Sequence, residues 1–297
     1  MAETPREDAT PKDHSQKEHP WGDWIGRTET AHDRIGETPA RALAATLNRP
    51  ADFPARPGDA LPPLWSWLYF LPLAPLAEVG PDGHPRRGGF LPPVDLPRRM
   101  WAGSRCTFHG PLRVGADAVR TSTITRIAQK SGGAGTMVFV TVAHAVHCDG
   151  ALVMAEEQDI VYLPMPERFS PPAPTPAPAC AWREAAPVDP VLLFRFSALT
   201  FNGHRIHYDR AYAMDVEKYP GLVVHGPLQA VLLFDAATRH TPHAAPARFD
   251  FRGLRPLFDF DQVSLAGRAR EDGGLDLFTV NGDGAVGMQA AMHWRPR

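Results

Sequence analysis

The chain has 297 residues, enough for one large domain or two of ordinary size with a sizeable core. A formal charge of −2 with 22% charged residues leaves no global excess of either sign, which argues against a nucleic-acid or anionic-membrane partner. Three cysteines, Cys106, Cys148 and Cys180, are odd in number, widely spaced and without metal-ligand spacing, so no disulfide framework or metal site is expected and a cytoplasmic setting fits.

Residues 1–20 mix acids and bases with no apolar run and read as a solvated tail rather than a targeting segment. In the first half, 21–163, ETPARALAATLN at 37–48 carries Ala and Leu at helical spacing. The most apolar stretch, 61–79, is broken by Pro62, Pro63, Pro72 and Pro75, so its LWSWLYFL core predicts a short buried helix and not a membrane span of roughly 20 residues. Segments 121–129, 136–147 and 151–163 are rich in Val, Ile, Thr and aromatic residues and predict strands, with Gly132, Gly133, Gly135 and Asp149-Gly150 as turns. Residues 164–190 are dense in proline and predict an extended linker. The second half, 191–297, repeats the plan: apolar VLLFRFSAL at 191–199, a helical stretch near 209–217 and a helix over 226–240. Strands over 247–261, 262–272, 275–282 and 285–294 follow. Each half thus reads as helix plus antiparallel meander, an α+β plan.

The stretch 194–234 carries the chemistry. Its FNGHRIHYD followed by YPGLVVHGPLQ resembles the hydratase motif of the MaoC-like and type 2 hydroxyacyl-thioester dehydratase family of hot-dog enzymes. That motif runs Thr or Ser, Gly, Asp, any residue, Asn, Pro, aliphatic, His, any residue, Asp, and later an aliphatic pair with His-Gly. Thr200, Ile206, His207, Asp209, Val223, Val224, His225 and Gly226 match it. The spelling is similar to the branch that includes bacterial 3-methylfumaryl-CoA (mesaconyl-C4-CoA) hydratases, and FLPPVDLPRRMWAGSRCTFHGPLRVG at 90–115 and EEQDIVY at 156–162 point the same way. The resemblance implies a double hot dog, with one active site per chain between the halves. It implies water addition to a short carboxylated enoyl-CoA, mesaconyl-C4-CoA giving citramalyl-CoA. The rivals are a 3-hydroxyacyl-thioester dehydratase of longer chains and an inactive acyl-CoA-binding module. The CoA thioester is the substrate carrier and no separate cofactor or metal is called for. Oligomeric state stays open, a homodimer included.

The residues bear a physical reading beside the resemblance. Hydration of an enoyl thioester needs a base for water, an acid for the α-carbon and donors for the enolate oxygen. His207 titrates near neutrality and suits the proton carrier. Asn202 stands at the motif's aspartate; an amide takes no proton, but it can position water. Asn202-Gly203 is also a strong turn signal. Gly226 opens an apolar helix, where an unpaired amide can hold an oxyanion and a glycine lets substrate approach. A thioesterase would want a carboxylate that Asn202 does not offer. His204, His207 and Asp209 do not read as a metal site, because in extended chain the two histidines face opposite ways. His225 reads as local support for the helix start, and His144, His147 and Cys148 as packed or solvated. Arg86, Arg87, Arg98, Arg99 and Arg105 are available for CoA phosphates, and Arg98, Arg99 and Arg205 for a substrate carboxylate.

Overall fold

The computed structural model describes residues 20–50, 52–132 and 135–296; the expected tail up to residue 19 and the turn residue Gly133 lie outside them. Strands form where β-branched and aromatic residues alternate with polar ones. In β4 (Gly135–Cys148) the buried Val138, Val140 and Val142 alternate with half-buried neighbours, and β3 (Asp117–Gly132) and β5 (Ala151–Leu163) flank it. These three join β1 (Thr28–Arg34) and β2 (Arg98–Phe108) in the first half. The second half holds β6 (Trp182–Ala185), β7 (Pro246–Gly253), β8 (Ser264–Ala269), β9 (Leu275–Val280) and β10 (Val286–Trp294).

The strands make one antiparallel sheet in the order β1-β3-β4-β5-β2-β7-β10-β9-β8-β6. The halves meet at β2 and β7, where Ser104 faces Phe251 and Cys106 faces Phe249. Among the described residues there are three α-helices: α1 (Glu37–Thr46), α2 (Pro190–Leu199), which packs on α1, and α3 (Gly226–His240). Asp189 caps α2 by accepting from the Leu192 amide at 2.7 Å, with Pro190 at the first helical position. The long helix is α3, which packs on β7 to β10 and reaches β2. Its Leu228, Leu233 and Phe234 are essentially fully buried, each contributing roughly 1.5–3 kcal/mol of burial. The main core runs without a break from Ile35, Leu43 and Trp65 of the first half through Cys106 to Leu228, Phe234 and Phe249 of the second.

The structure departs from the sequence reading in several elements, the unpredicted strands β1 and β2 among them. LWSWLYFL yields a 3-10 helix over Pro63–Leu68, with proline in its first turn, and the run stops where Tyr69 turns extended and Phe70 takes a φ of 55°. The 209–217 stretch yields a π turn over Tyr212–Val216. The first half's helix is short, ten residues against fifteen in α3. Within the proline-rich 164–190, residues 182–185 form β6 and pair with β8, so this end of the linker is laid against the second half. No helix among the described residues is long and apolar enough to cross a membrane.

Candidate active site

The motif begins where α2 ends. Thr200 donates its hydroxyl back to the Phe196 carbonyl at 2.8 Å, and the Asn202 amide reaches the Ser197 carbonyl at 2.9 Å. Phe201 between them takes the left-handed conformation, φ 50°, that closes such a helix end, at the place where the motif carries glycine. Asn202 Oδ1 then accepts from the His204 amide at 3.0 Å, an Asx turn. The turn reading of Asn202 therefore holds for its oxygen, and its Nδ2 is left as the group that can donate to a ligand.

Residues Arg205–His207 form a single 3-10 turn that buries Ile206 and His207. His207 Nδ1 donates to the Val223 carbonyl at 2.7 Å, which fixes the tautomer and leaves the Nε2 lone pair free. Burial, and after it the imidazoles of His225 and His204, hold the His207 pKa well below the ordinary histidine value, so the ring is a neutral base at physiological pH. Asp209, the last motif residue, accepts from Arg205 at 2.7 Å and from the Tyr212 amide at 3.0 Å; its part is to brace the turn.

The second part of the motif lies against the first. The Val223 amide donates to the Ile206 carbonyl at 3.0 Å, and His225 stacks on His207 with ring centroids 3.6 Å apart. That stack puts the base one residue from Gly226, the first residue of α3, whose N–H has no partner among the described residues. His225 caps nothing with its side chain. It pairs with Ser197 Oγ at 2.8 Å, and burial pushes its pKa down to about 3. The expectation that it serves the helix start is replaced by a role as the second face of His207.

Gly226 is not demanded by packing. A Cβ there would meet the Trp101 carbonyl oxygen at 3.7 Å and Met288 Cε at 3.9 Å, both ordinary contacts. Gly226→Ala should therefore leave the melting temperature unchanged or raise it slightly, since alanine is the better helix former. Enoyl-thioester turnover by the same variant should drop about 10–100-fold, because a displaced thioester loses its alignment. Differential scanning fluorimetry beside kcat/KM separates the two effects.

The first half closes over this site. Residues 80–85 carry Asp82 and His84, paired at 3.0 Å, and the His84 ring lies 4.3 Å from that of His204. Burial drives the His84 pKa down to about 4. The Arg205 amide donates to the Asp82 carbonyl at 2.9 Å and its guanidinium to the Pro81 carbonyl at 3.0 Å. Gly83 and Gly203 press face to face, so that a Cβ on either would overlap the carbonyl oxygen of the other.

Sequence reasoning placed His204 and His207 on opposite faces. The 3-10 turn instead sets their rings edge to face, 5.5 Å apart. It also missed Glu217. Only 1% exposed, Glu217 accepts from His204 Nε2 at 3.0 Å and from Arg98 Nε at 3.1 Å, and Arg98 also donates to the Tyr219 hydroxyl. Burial alone would raise the Glu217 pKa; the bond from His204 and the charges of His204 and Arg98 outweigh it and hold the carboxyl below the usual range.

Of the candidate arginines, Arg98 is thus taken by Glu217, Arg105 by Glu157 and Asp159, and Arg205 by Asp209. Arg87 donates to the Val94 and Pro97 carbonyls. Arg99, near enough to His84 and Asp82 to act on both, donates to the Pro85 carbonyl at 3.4 Å, lies beside the Tyr162 hydroxyl, and forms no ion pair with a carboxylate among the described residues. His144 is held in the sheet by Ser122 at 2.9 Å and Gln158 at 3.2 Å, a packed role.

The chain as a whole is similar to known proteins. Residues 64–259 match the family model for hydroxyacyl-thioester dehydratase type 2. The chain is 49% identical over 282 residues to a protein of Chloroflexus aurantiacus named mesaconyl-C(4)-CoA hydratase, covering 92% of this chain and 97% of the relative. It is 25% identical over 282 residues to the mitochondrial hydroxyacyl-thioester dehydratase type 2 of Schizosaccharomyces pombe, covering 84% and 93%. A Mycobacterium tuberculosis structure described as a double hotdog fold superposes with a TM-score of 0.55 at 15% identity, covering 91% of this chain and 96% of that one. The two joined halves are a double hot dog.

Proposed function

This chain belongs to the type 2 hydroxyacyl-thioester dehydratase family, and we propose that it adds water to the double bond of a short carboxylated enoyl-CoA, converting mesaconyl-C4-CoA to citramalyl-CoA. The observation that carries the reading is the His207–His225 stack, which joins a neutral base to the open amide of Gly226. With the thioester oxygen on that amide, the double bond is polarised and the β-carbon made electrophilic. His207 Nε2 takes a proton from water as the oxygen bonds to the β-carbon, and Asn202 Nδ2 donates to the same water and fixes its approach. Burial keeps the His207 ring unprotonated, so its Nε2 lone pair is available when water arrives.

The acyl group rests on the 49% identical relative and on charge. The substrate's free carboxylate sits on the β-carbon, beside the attacking water, and Arg99 is the nearby candidate arginine that forms no ion pair with a carboxylate among the described residues. Loss of enoyl absorbance tests the reading with mesaconyl-C4-CoA, crotonyl-CoA and a longer enoyl-CoA. The expected result is turnover of the first in strong preference, with Arg99→Gln raising KM for it and leaving the slow crotonyl-CoA rate alone. Preference for the longer chain would make the protein a dehydratase of uncharged acyl groups, and binding of all three without turnover would make it a carrier.

A further inference from the structure

Hydration moves two protons, and the reading above assigns one. Something must protonate the α-carbon, and the residue at the motif's aspartate position is an amide. His204 stands where the motif carries asparagine, two residues further on. It lies in a row of four imidazoles: His84 at 4.3 Å from His204, His204 at 5.5 Å from His207, His207 at 3.6 Å from His225. The groups that face it come from three places. The 80–85 segment gives His84 and Asp82, the turn ending at Val216 is followed by Glu217, and β2 gives Arg98 behind Glu217.

The hydrogen bonding of the row is uneven. Arg98 holds Glu217 Oε2, which turns Oε1 onto His204 Nε2 at 3.0 Å. That leaves His204 Nδ1 with no partner among the described residues, and it is not one of the polar atoms sealed from solvent, as His225 Nδ1 is. His207 Nε2 is likewise free and unsealed. Two rings in contact thus each keep one open nitrogen, and one of the two rings is backed by a buried carboxylate.

We propose that His204, with Glu217 behind it, is the second acid–base group of this site and supplies through a Glu–His pair what an aspartate supplies at position 202 in the motif's usual form. The proposal rests on the hydratase reading. As water's oxygen bonds to the β-carbon and its proton passes to His207 Nε2, the double-bond pair moves to the α-carbon, with negative charge shared by the thioester oxygen on Gly226. The Nδ1–H bond of protonated His204 then breaks and its proton forms the new C–H bond at the α-carbon. His207 ends protonated and His204 neutral, and a water passes the proton from His207 Nε2 to His204 Nδ1 before the next turnover. The sum is one water added. Glu217 keeps its charge throughout, balanced by Arg98 and by His204 when protonated.

A staple that merely ties the motif loop to the first half would use the same contacts, so the test needs a readout that a staple leaves unmoved. Three variants suffice: His204→Asn, Glu217→Gln, and the double variant Asn202→Asp with His204→Asn, which restores the motif's usual residues at those two positions. Each is measured for kcat, KM, pH profile and melting temperature on whichever enoyl-CoA the wild type hydrates. The proposal expects His204→Asn to lose about 100-fold in kcat with KM within about threefold, on the scale of one acid–base group. It expects the double variant to regain at least tenfold of that loss, with its alkaline limb displaced from that of the wild type. Should the position 204 variants not fold, Glu217→Gln carries the test, with kcat down about 30-fold and the alkaline limb moved. Wild-type kcat in His204→Asn, or an unmoved pH profile in Glu217→Gln, overturns the proposal while leaving the hydratase reading standing. A wild type silent on every enoyl-CoA overturns both.

Discussion

Replacing His207 by alanine should lower kcat for enoyl-thioester hydration by about 1,000-fold, within the range of a lost general base. The ring does three things at once: it offers Nε2 as base, donates Nδ1–H to the Val223 carbonyl at 2.7 Å, and stacks on His225 at 3.6 Å. Alanine abolishes all three, and the stranded buried carbonyl costs about 1–3 kcal/mol of stability. His207→Asn isolates the chemistry, because its Nδ2 can stand in for Nδ1 while no base remains. Its kcat should be as low as that of the alanine variant, with a smaller drop in melting temperature. The pH dependence has a definite sign. Since burial and the neighbouring imidazoles depress the His207 pKa, the base form persists as pH falls through 6.5, and kcat/KM should show no acid limb there. A half-maximal rate near pH 6.5 on the acid side would mean that the ring is solvated in the working enzyme.

Gly83→Ala should be among the most damaging single changes in the first half, although the residue belongs to no helix or strand. Its φ of 89° strains any L side chain, at about 1–2 kcal/mol, and the added Cβ would overlap the Gly203 carbonyl, at about 1–3 kcal/mol more. The sum, about 2–5 kcal/mol, corresponds to a fall of roughly 5–15 °C in melting temperature for a protein of this size. The overlap also pushes on the motif loop, so the surviving folded fraction should turn over more slowly. Thermal melting followed by activity per folded molecule reads both. A variant with wild-type melting and wild-type rate would show that the 80–85 segment does not bear on the motif loop.

What the sequence disclosed, and what it hid, follows from the range of the interactions. The helix over 226–240 is legible to the residue because a glycine-proline start and an apolar face are local signals, and β4 and β5 are legible from their Val-rich alternation. β1 was not seen: TETAHDR lies at the edge of the sheet, largely exposed, so it carries no apolar period. The motif's base and helix-start glycine could be named from spelling alone. Glu217 and His84, and the use of Arg98 to hold Glu217, could not, because Glu217 stands 13 positions from His204, His84 stands 120 from it, and Arg98 acts through Glu217, 119 positions away. The one local hint was the motif's own departure, His204-Arg205 for Asn-Pro, which both places an imidazole beside His207 and supplies the side chain that grips the Pro81 carbonyl.

The β2–β7 joint has a consequence for the covalent chain itself. The link after β5 attaches to the second half as early as Phe169, whose ring lies 5.5 Å from Phe258, and Pro172, whose carbonyl accepts from Arg255 at 2.6 Å. Scission of the backbone just before Phe169 would thus cut no strand and open no part of the core. The two fragments would stay together through five paired positions and a shared apolar interior. The intact peptide matters instead for assembly, since it keeps one half at roughly millimolar effective concentration around the other and makes their meeting a first-order event.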